Sequence, residues 1–150
     1  MNPPYSHARV LIAEGDSDLR RELFRVLLER DIFSDTAADG VQALDCLASC
    51  DYTILLLDLT LPRIDAQQML AHLAALAPER RPMVLVIAGA ELPQALDADL
   101  VQVILRRPLR TRDIAELVEN CLRVVVRRPP THPGRIQVPQ VRSDDDDHPC

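Results

Sequence analysis

The sequence predicts an α/β domain with a doubly wound architecture, in which helices cover both faces of a five-stranded parallel sheet. Five short apolar runs alternate along the chain with segments whose apolar residues recur at helical spacing. The runs RVLIA, TILLLD and MVLVIA contain almost no polar residues, which is typical of strands buried on both faces of a parallel sheet. Strands that alternate with helices through short loops are expected to pair in parallel.

Each element has its own signal along the chain. The first strand is the run Arg9–Ala13, and Asp16 or Ser17 can cap the helix that follows it. The second strand is more polar and is expected at an edge of the sheet. The expected elements after the first strand are a helix over Ser17–Arg30, a strand over Ile32–Ala37, a helix over Val41–Ser49, a strand over Thr53–Asp58, a helix over Ala66–Ala77, a strand over Met83–Ala88, a short helix around Pro93–Leu96, a strand over Val101–Leu105 and a last helix capped by Thr111 that reaches about Val125.

Composition indicates where the folded domain begins and ends and which classes of partner are disfavoured. We expect an N-terminal extension over residues 1–8, a folded domain over 9–123 and a disordered tail over 127–150, since the tail is proline-rich and lacks periodicity. The formal net charge of −6 argues against direct binding to nucleic acid or to an anionic membrane. No segment approaches the roughly 20 apolar residues that cross a bilayer, and no signal-peptide pattern is present. The cytoplasm is therefore the expected compartment.

The strand ends place acidic residues together. The most apolar strand should be central, and it ends on Asp58. In open parallel sheets the ligand crevice lies outside the carboxyl ends of the strands. Glu14 and Asp16, which follow the first strand, are therefore expected near Asp58 in one acidic pocket.

Four segments, in order, resemble the receiver domain of bacterial two-component response regulators. They are RVLIAEGDSDLRRELFRVLLER, TAADGVQALDCL, ILLLDLTLPRID and RRPL. The resemblance spans about residues 9–123 and implies a CheY-like, flavodoxin-like sheet with strand order 2-1-3-4-5. It also implies phosphorelay signal transduction, in which a histidine kinase or phosphotransfer protein gives a phosphoryl group to Asp58 and forms a 4-aspartylphosphate.

The resemblance further implies a Mg²⁺ site, but a weak one. Its ligands would be Glu14, Asp58 and the backbone carbonyl of Thr60. Gly15 stands where the family has a second acid, and Mg²⁺ depends on one or two carboxylates in a near-octahedral set of oxygens. Asp16 could compensate only by leaving its expected role as a helix cap.

Three other positions of the family's switch are altered. Arg107 stands where the family has a lysine, and it keeps the charge that stabilises a phosphoryl group. Because all 17 basic residues are arginines, this change is interpreted as the mildest of the three. Ile87 replaces the family's hydroxyl residue on strand four, and Ile104 replaces the aromatic switch residue on strand five. The bond before Pro108 is expected to be cis, as it usually is in the family.

Two functions from different classes stay open. The first is a stand-alone phosphoacceptor receiver, and the second is a phosphorylation-independent pseudo-receiver that binds a kinase or another regulator as a protein–protein interaction module. A homodimer through helices of the receiver is a weak expectation. An enzyme or a cofactor-binding protein is disfavoured, because no glycine-rich loop follows the first strand and aromatic residues make up only 3% of the chain.

Overall fold

The structure, a computed structural model, describes residues 5, 7–89 and 96–127, with the backbone alone at 126–127. The elements are β1 (Val10–Ala13), α1 (Ser17–Glu29), β2 (Ser34–Ala37), α2 (Gly40–Ser49), β3 (Ile54–Asp58), α3 (Ala66–Ala75), a 3-10 turn (Pro78–Arg80), β4 (Met83–Ala88), β5 (Val101–Arg106) and α4 (Thr111–Arg127). Most of the short helix expected around Pro93–Leu96, and the expected tail after residue 127, lie outside the described residues.

The sheet has the predicted topology. Its five strands pair in parallel in the order β2-β1-β3-β4-β5. The polar strand β2 lies at an edge and the apolar strand β3 at the centre, as predicted. Every residue of β3 is buried, including the acid at its end. The predicted doubly wound, flavodoxin-like fold is confirmed.

Apolar side chains form two cores, one on each face of the sheet. Successive residues of a strand point to opposite faces. Leu55 and Leu57 therefore join the core beneath α2 and α3, whereas Ile54 and Leu56 join the core beneath α1 and α4. Each fully buried aliphatic side chain of this size contributes about 1.5–3 kcal/mol through the hydrophobic effect.

The helix starts are fixed mostly by aspartates. Asp16 caps α1 by accepting two backbone hydrogen bonds from its first turn, which confirms the prediction. Asp39 caps α2, and Asp65 caps α3 in a capping box. The predicted cap at Thr111 is wrong, because Thr111 is already the first residue of α4. Its hydroxyl donates instead to a carboxylate oxygen of Glu22 on α1, at 3.0 Å.

Structured residues are present on both sides of the predicted 9–123 domain. Tyr5 and Ala8, in the expected N-terminal extension, are buried in the core beneath α1 and α4. The Tyr5 hydroxyl accepts a hydrogen bond from Arg123 Nε at 3.1 Å. Helix α4 continues to Arg127, where the tail was expected to start. A residue that precedes a proline disfavours the helical conformation, and the first such residue after Thr111 is Arg128. The sequence therefore permits a helix that reaches Arg127.

No helix within the described part of the chain is both long enough and apolar enough to cross a membrane.

Candidate functional site

A pocket lies at the carboxyl edge of the sheet, where the loops after β1, β3 and β5 meet. Asp58, the last residue of β3, lies at its base. The residues lining it are Glu14, Gly15, Asp16, Asp58, Thr60, Pro62 and Arg107. The pocket thus combines three acids with one arginine, and its position agrees with the crevice expected for this topology.

The carboxylate of Asp58 is buried and held by hydrogen bonds. Its side chain is only 3% exposed. One oxygen, Oδ1, accepts from the Thr60 backbone N–H at 2.8 Å and from the Thr60 hydroxyl at 2.7 Å. The other oxygen, Oδ2, accepts a longer hydrogen bond of 3.4 Å from the Gly15 N–H. The two oxygens therefore differ in their backbone and Thr60 contacts, which are shorter at Oδ1.

Glu14 is the second buried acid, with a side chain that is 1% exposed. Arg107 Nη2 donates to Oε1 at 3.1 Å and to Oε2 at 3.4 Å, and the Asp16 N–H donates to Oε1 at 3.3 Å. Burial, and next the negative charge of Asp58, raise the pKa of Glu14 from 4.5 to about 7. Arg20 Nη1 also donates to the Glu14 carbonyl oxygen at 2.9 Å, which ties α1 to this loop.

Arg107 connects the two acids. Its Nη2 lies 3.7 Å from Asp58 Oδ1 while it pairs with Glu14. The side chain is 37% exposed, so the guanidinium spans from the buried carboxylates to the solvent. Its backbone N–H donates to the Ala88 carbonyl at 2.9 Å, and the peptide bond to Pro108 is cis, as predicted.

Most of the predicted site residues come together, but two do not contribute side chains to the pocket. Ile87 is paired with Asp58 in the sheet register and is 1% exposed, and its apolar side chain is part of the core beneath α1 and α4. Ile104 lies on β5 with 41% exposure, away from the pocket. Asp16 lines the pocket, yet its carboxylate is committed to capping α1.

Two contributions were missed from the sequence. The resemblance assigned Thr60 only a backbone role, but its hydroxyl holds Asp58 directly. A hydroxyl residue two positions after a strand-end acid is a local signal of this kind of hydrogen bond. The contact between Arg20 and the Glu14 carbonyl has no comparable sequence signal.

The residues present do not fit a Mg²⁺ site in this arrangement. Mg²⁺ requires near-octahedral oxygens at about 2.0–2.1 Å. Glu14 and Asp58 face a guanidinium, the Asp16 carboxylate caps a helix, and Gly15 offers no side-chain oxygen. Over residues 7–89 and 96–125, no three side chains of His, Cys, Asp or Glu lie close enough to hold a metal ion. The weak Mg²⁺ set predicted from Glu14, Asp58 and Thr60 is not supported by this geometry.

Comparison with curated proteins finds a receiver protein and a regulatory protein. The chain is 26% identical over 115 residues to the response regulator receiver protein CpdR of Brucella abortus, a match that covers 76% of this chain and 96% of that protein. It is 28% identical over 134 residues to the positive alginate biosynthesis regulatory protein of Pseudomonas aeruginosa. That match covers 86% of this chain but only 49% of the Pseudomonas protein. No protein-family model matches the sequence.

Solved structures with the same fold include several receiver domains. The CheY-like receiver domain from Methanospirillum hungatei JF-1 superimposes with a TM-score of 0.72 at 18% identity, over 81% of this chain and 98% of that one. The receiver domain of a signal transduction histidine kinase from Syntrophus aciditrophicus gives a TM-score of 0.68 at 18% identity, over 85% and 99% of the two chains. Together with the curated relatives and the strand order, these matches show that the chain has the fold of response-regulator receiver domains.

Proposed function

We propose that this receiver domain accepts a phosphoryl group on Asp58 from a histidine kinase or a phosphotransfer protein. The observation that supports this most directly is the asymmetry of the Asp58 carboxylate. Thr60 donates twice to Oδ1, whereas Oδ2 receives a longer hydrogen bond from Gly15, and the carboxylate lines an open pocket. A carboxylate that is fixed by hydrogen bonds and lines an open pocket is suited to act as a nucleophile.

The proposed step is an in-line displacement at phosphorus. A carboxylate oxygen of Asp58 attacks the phosphorus of a phosphohistidine or an acyl phosphate. The bond from phosphorus to the donor nitrogen or oxygen breaks, and the donor leaves with that electron pair. Arg107, 3.7 Å from Asp58 Oδ1, is placed to stabilise the negative charge on the phosphoryl oxygens.

Intact-mass spectrometry after incubation with acetyl phosphate tests this proposal. We expect the wild-type protein to gain the mass of one phosphoryl group. Asp58→Asn should gain none, because an amide cannot act as the carboxylate nucleophile. Asp51→Asn is the matched control, since Asp51 is an exposed acid before the start of β3 that pairs with Arg80. A label that survives Asp58→Asn, or no label on the wild type, would contradict the proposal.

A second candidate function, a phosphorylation-independent interaction module, is favoured by one specific observation. Ile104 exposes an apolar side chain on the edge strand β5, at the position of the family's aromatic switch. Replacing the native copy of the protein in its host with Asp58→Ala or Ile104→Asp separates the two functions. Loss of function only in Ile104→Asp supports the interaction module, and loss only in Asp58→Ala supports the phosphoacceptor.

A further inference from the structure

Arg107 lies between two buried carboxylates, at the point where an acidic phosphorylation pocket needs positive charge. We propose that the Arg107 guanidinium is the built-in cation of this pocket, and that Asp58 accepts a phosphoryl group without a divalent metal. This inference rests on the proposed phosphoacceptor function and adds to it that the pocket does not depend on Mg²⁺.

The first support is the arrangement of charge. One nitrogen, Arg107 Nη2, lies 3.1 and 3.4 Å from the two oxygens of Glu14 and 3.7 Å from Asp58 Oδ1. Both carboxylates are at most 3% exposed, so water cannot compensate their charge effectively. Two buried acids side by side need a counter-charge, and the guanidinium supplies it from within the chain.

The second support is that the other side-chain oxygens of the pocket are engaged in hydrogen bonds. The Asp16 carboxylate accepts the two N–H groups at the start of α1, at 2.9 and 3.2 Å. The Thr60 hydroxyl donates to Asp58. Gly15 has no side chain, and a Cβ there would lie 3.2 Å from Pro62 Cδ, so an acid at this position would fit only tightly.

The third support is the chemistry of arginine itself. A guanidinium stays charged and presents five N–H donors in a planar fork that matches the oxygens of a phosphoryl group. It can therefore remain paired with Glu14 while its free donors face a phosphoryl group on Asp58. The N–H group of Arg107 that donates to the Ala88 carbonyl fixes the backbone from which this side chain extends.

Amide NMR titration with MgCl₂, matched for ionic strength with NaCl, tests the absence of a metal site. For the wild-type protein we expect no saturable shift of the Gly15 and Thr60 amides into the tens of millimolar. Arg107→Gln should gain a saturable Mg²⁺ response, because the acids lose their resident cation. Arg106→Gln is the matched control, since Arg106 is the exposed neighbouring arginine at the end of β5. Saturation of the wild type at low millimolar Mg²⁺ would overturn the inference.

Labelling with acetyl phosphate, measured by intact mass, separates this inference from the proposed function. We expect the wild-type labelling rate with EDTA to stay within about twofold of its rate with Mg²⁺, and Arg107→Gln with EDTA to be slower by about 10²-fold. Label that forms only with Mg²⁺ overturns the inference and leaves the phosphoacceptor function standing. If no label forms in either condition, the proposed function fails, and metal-free phosphoryl acceptance fails with it.

A second variant keeps the test decisive if Arg107→Gln does not fold. Gly15→Asp restores an acid at the family's position and leaves Arg107 in place. We expect it to acquire a saturable Mg²⁺ response that the wild type lacks, which supports the inference. An equal response of wild type and Gly15→Asp to Mg²⁺ would overturn it, because the wild-type pocket would then bind the metal as readily as one with a second acid.

Discussion

Replacing Glu14 with glutamine should change how the stability of the domain depends on pH. Glutamine is close to glutamate in size, and its amide oxygen can still accept from Arg107 and from the Asp16 N–H. What it removes is the titration of a buried acid whose pKa is raised from 4.5 to about 7, chiefly by burial and next by the charge of Asp58. The perturbation therefore isolates one ionisable group.

The sign follows from proton linkage. The folded state holds the Glu14 proton more tightly than the unfolded state, so the unfolded state releases it first as the pH rises. Unfolding is thereby favoured, and this group's contribution to stability falls between about pH 4.5 and about pH 7. A pKa difference of about 2.5 units corresponds to about 3.5 kcal/mol at about 1.4 kcal/mol per unit.

Urea denaturation followed by circular dichroism, from about pH 5 to about pH 8, measures this difference. We expect the free energy of unfolding of Glu14→Gln, relative to wild type, to rise by about 2.5 kcal/mol from about pH 5 to about pH 8, because part of the change lies below about pH 5, and to level off above about pH 7. Glu79→Gln, at an exposed acid in the 3-10 turn, is the matched control and should track the wild type. Parallel curves for wild type and Glu14→Gln, or a relative stability that falls with pH, would refute the reasoning.

Two further predictions concern close contacts and are also read out by urea denaturation. Gly40→Ala should destabilise the domain by about 1–3 kcal/mol, because its Cβ would lie 2.5 Å from the Ile64 Cβ. Gly89→Ala, with no atom of the described residues within 4 Å of the new Cβ, should stay within about 0.5 kcal/mol of wild type, and equal losses at both glycines would contradict this explanation. Thr60→Val should cost about 1 kcal/mol, because it removes the hydroxyl that donates to Asp58, whereas Thr60→Ser should be close to wild type.

The sequence predicted the fold well because its strands carry a strong local signal. The run TILLLD is apolar on both faces, and the structure buries every residue of β3 accordingly. Boundaries were less predictable where the backbone turns. The second strand begins at Ser34 and not at Ile32, because Asp31 adopts a left-handed conformation with φ of 59°. Ile32 is buried just outside the strand, so hydrophobicity alone could not place the boundary.

The sequence predicted which strand ends bring the site residues together, but it did not predict which side chains pair with each other. Glu14, Asp58 and Arg107 lie at or just after the carboxyl ends of their strands. Because the alternation of strands and helices predicts a parallel sheet, these ends are expected at the same edge. The pairing of Arg107 with Glu14 joins residues 93 positions apart, and it depends on the reach of one side chain across β3 and β4. No spacing or periodicity encodes such a contact.

The substitution that looked mildest from the sequence is the one that most changes the pocket. Composition makes Arg107 a simple replacement of lysine that keeps the positive charge. In the structure, the planar fork of the guanidinium contacts Glu14 twice and approaches Asp58, so it competes for the oxygens that a metal would need. The loss of an acid at Gly15 acts in the same direction, because it lowers the negative charge that one arginine must balance. The proposed metal independence of the pocket therefore rests on Gly15 and Arg107 together.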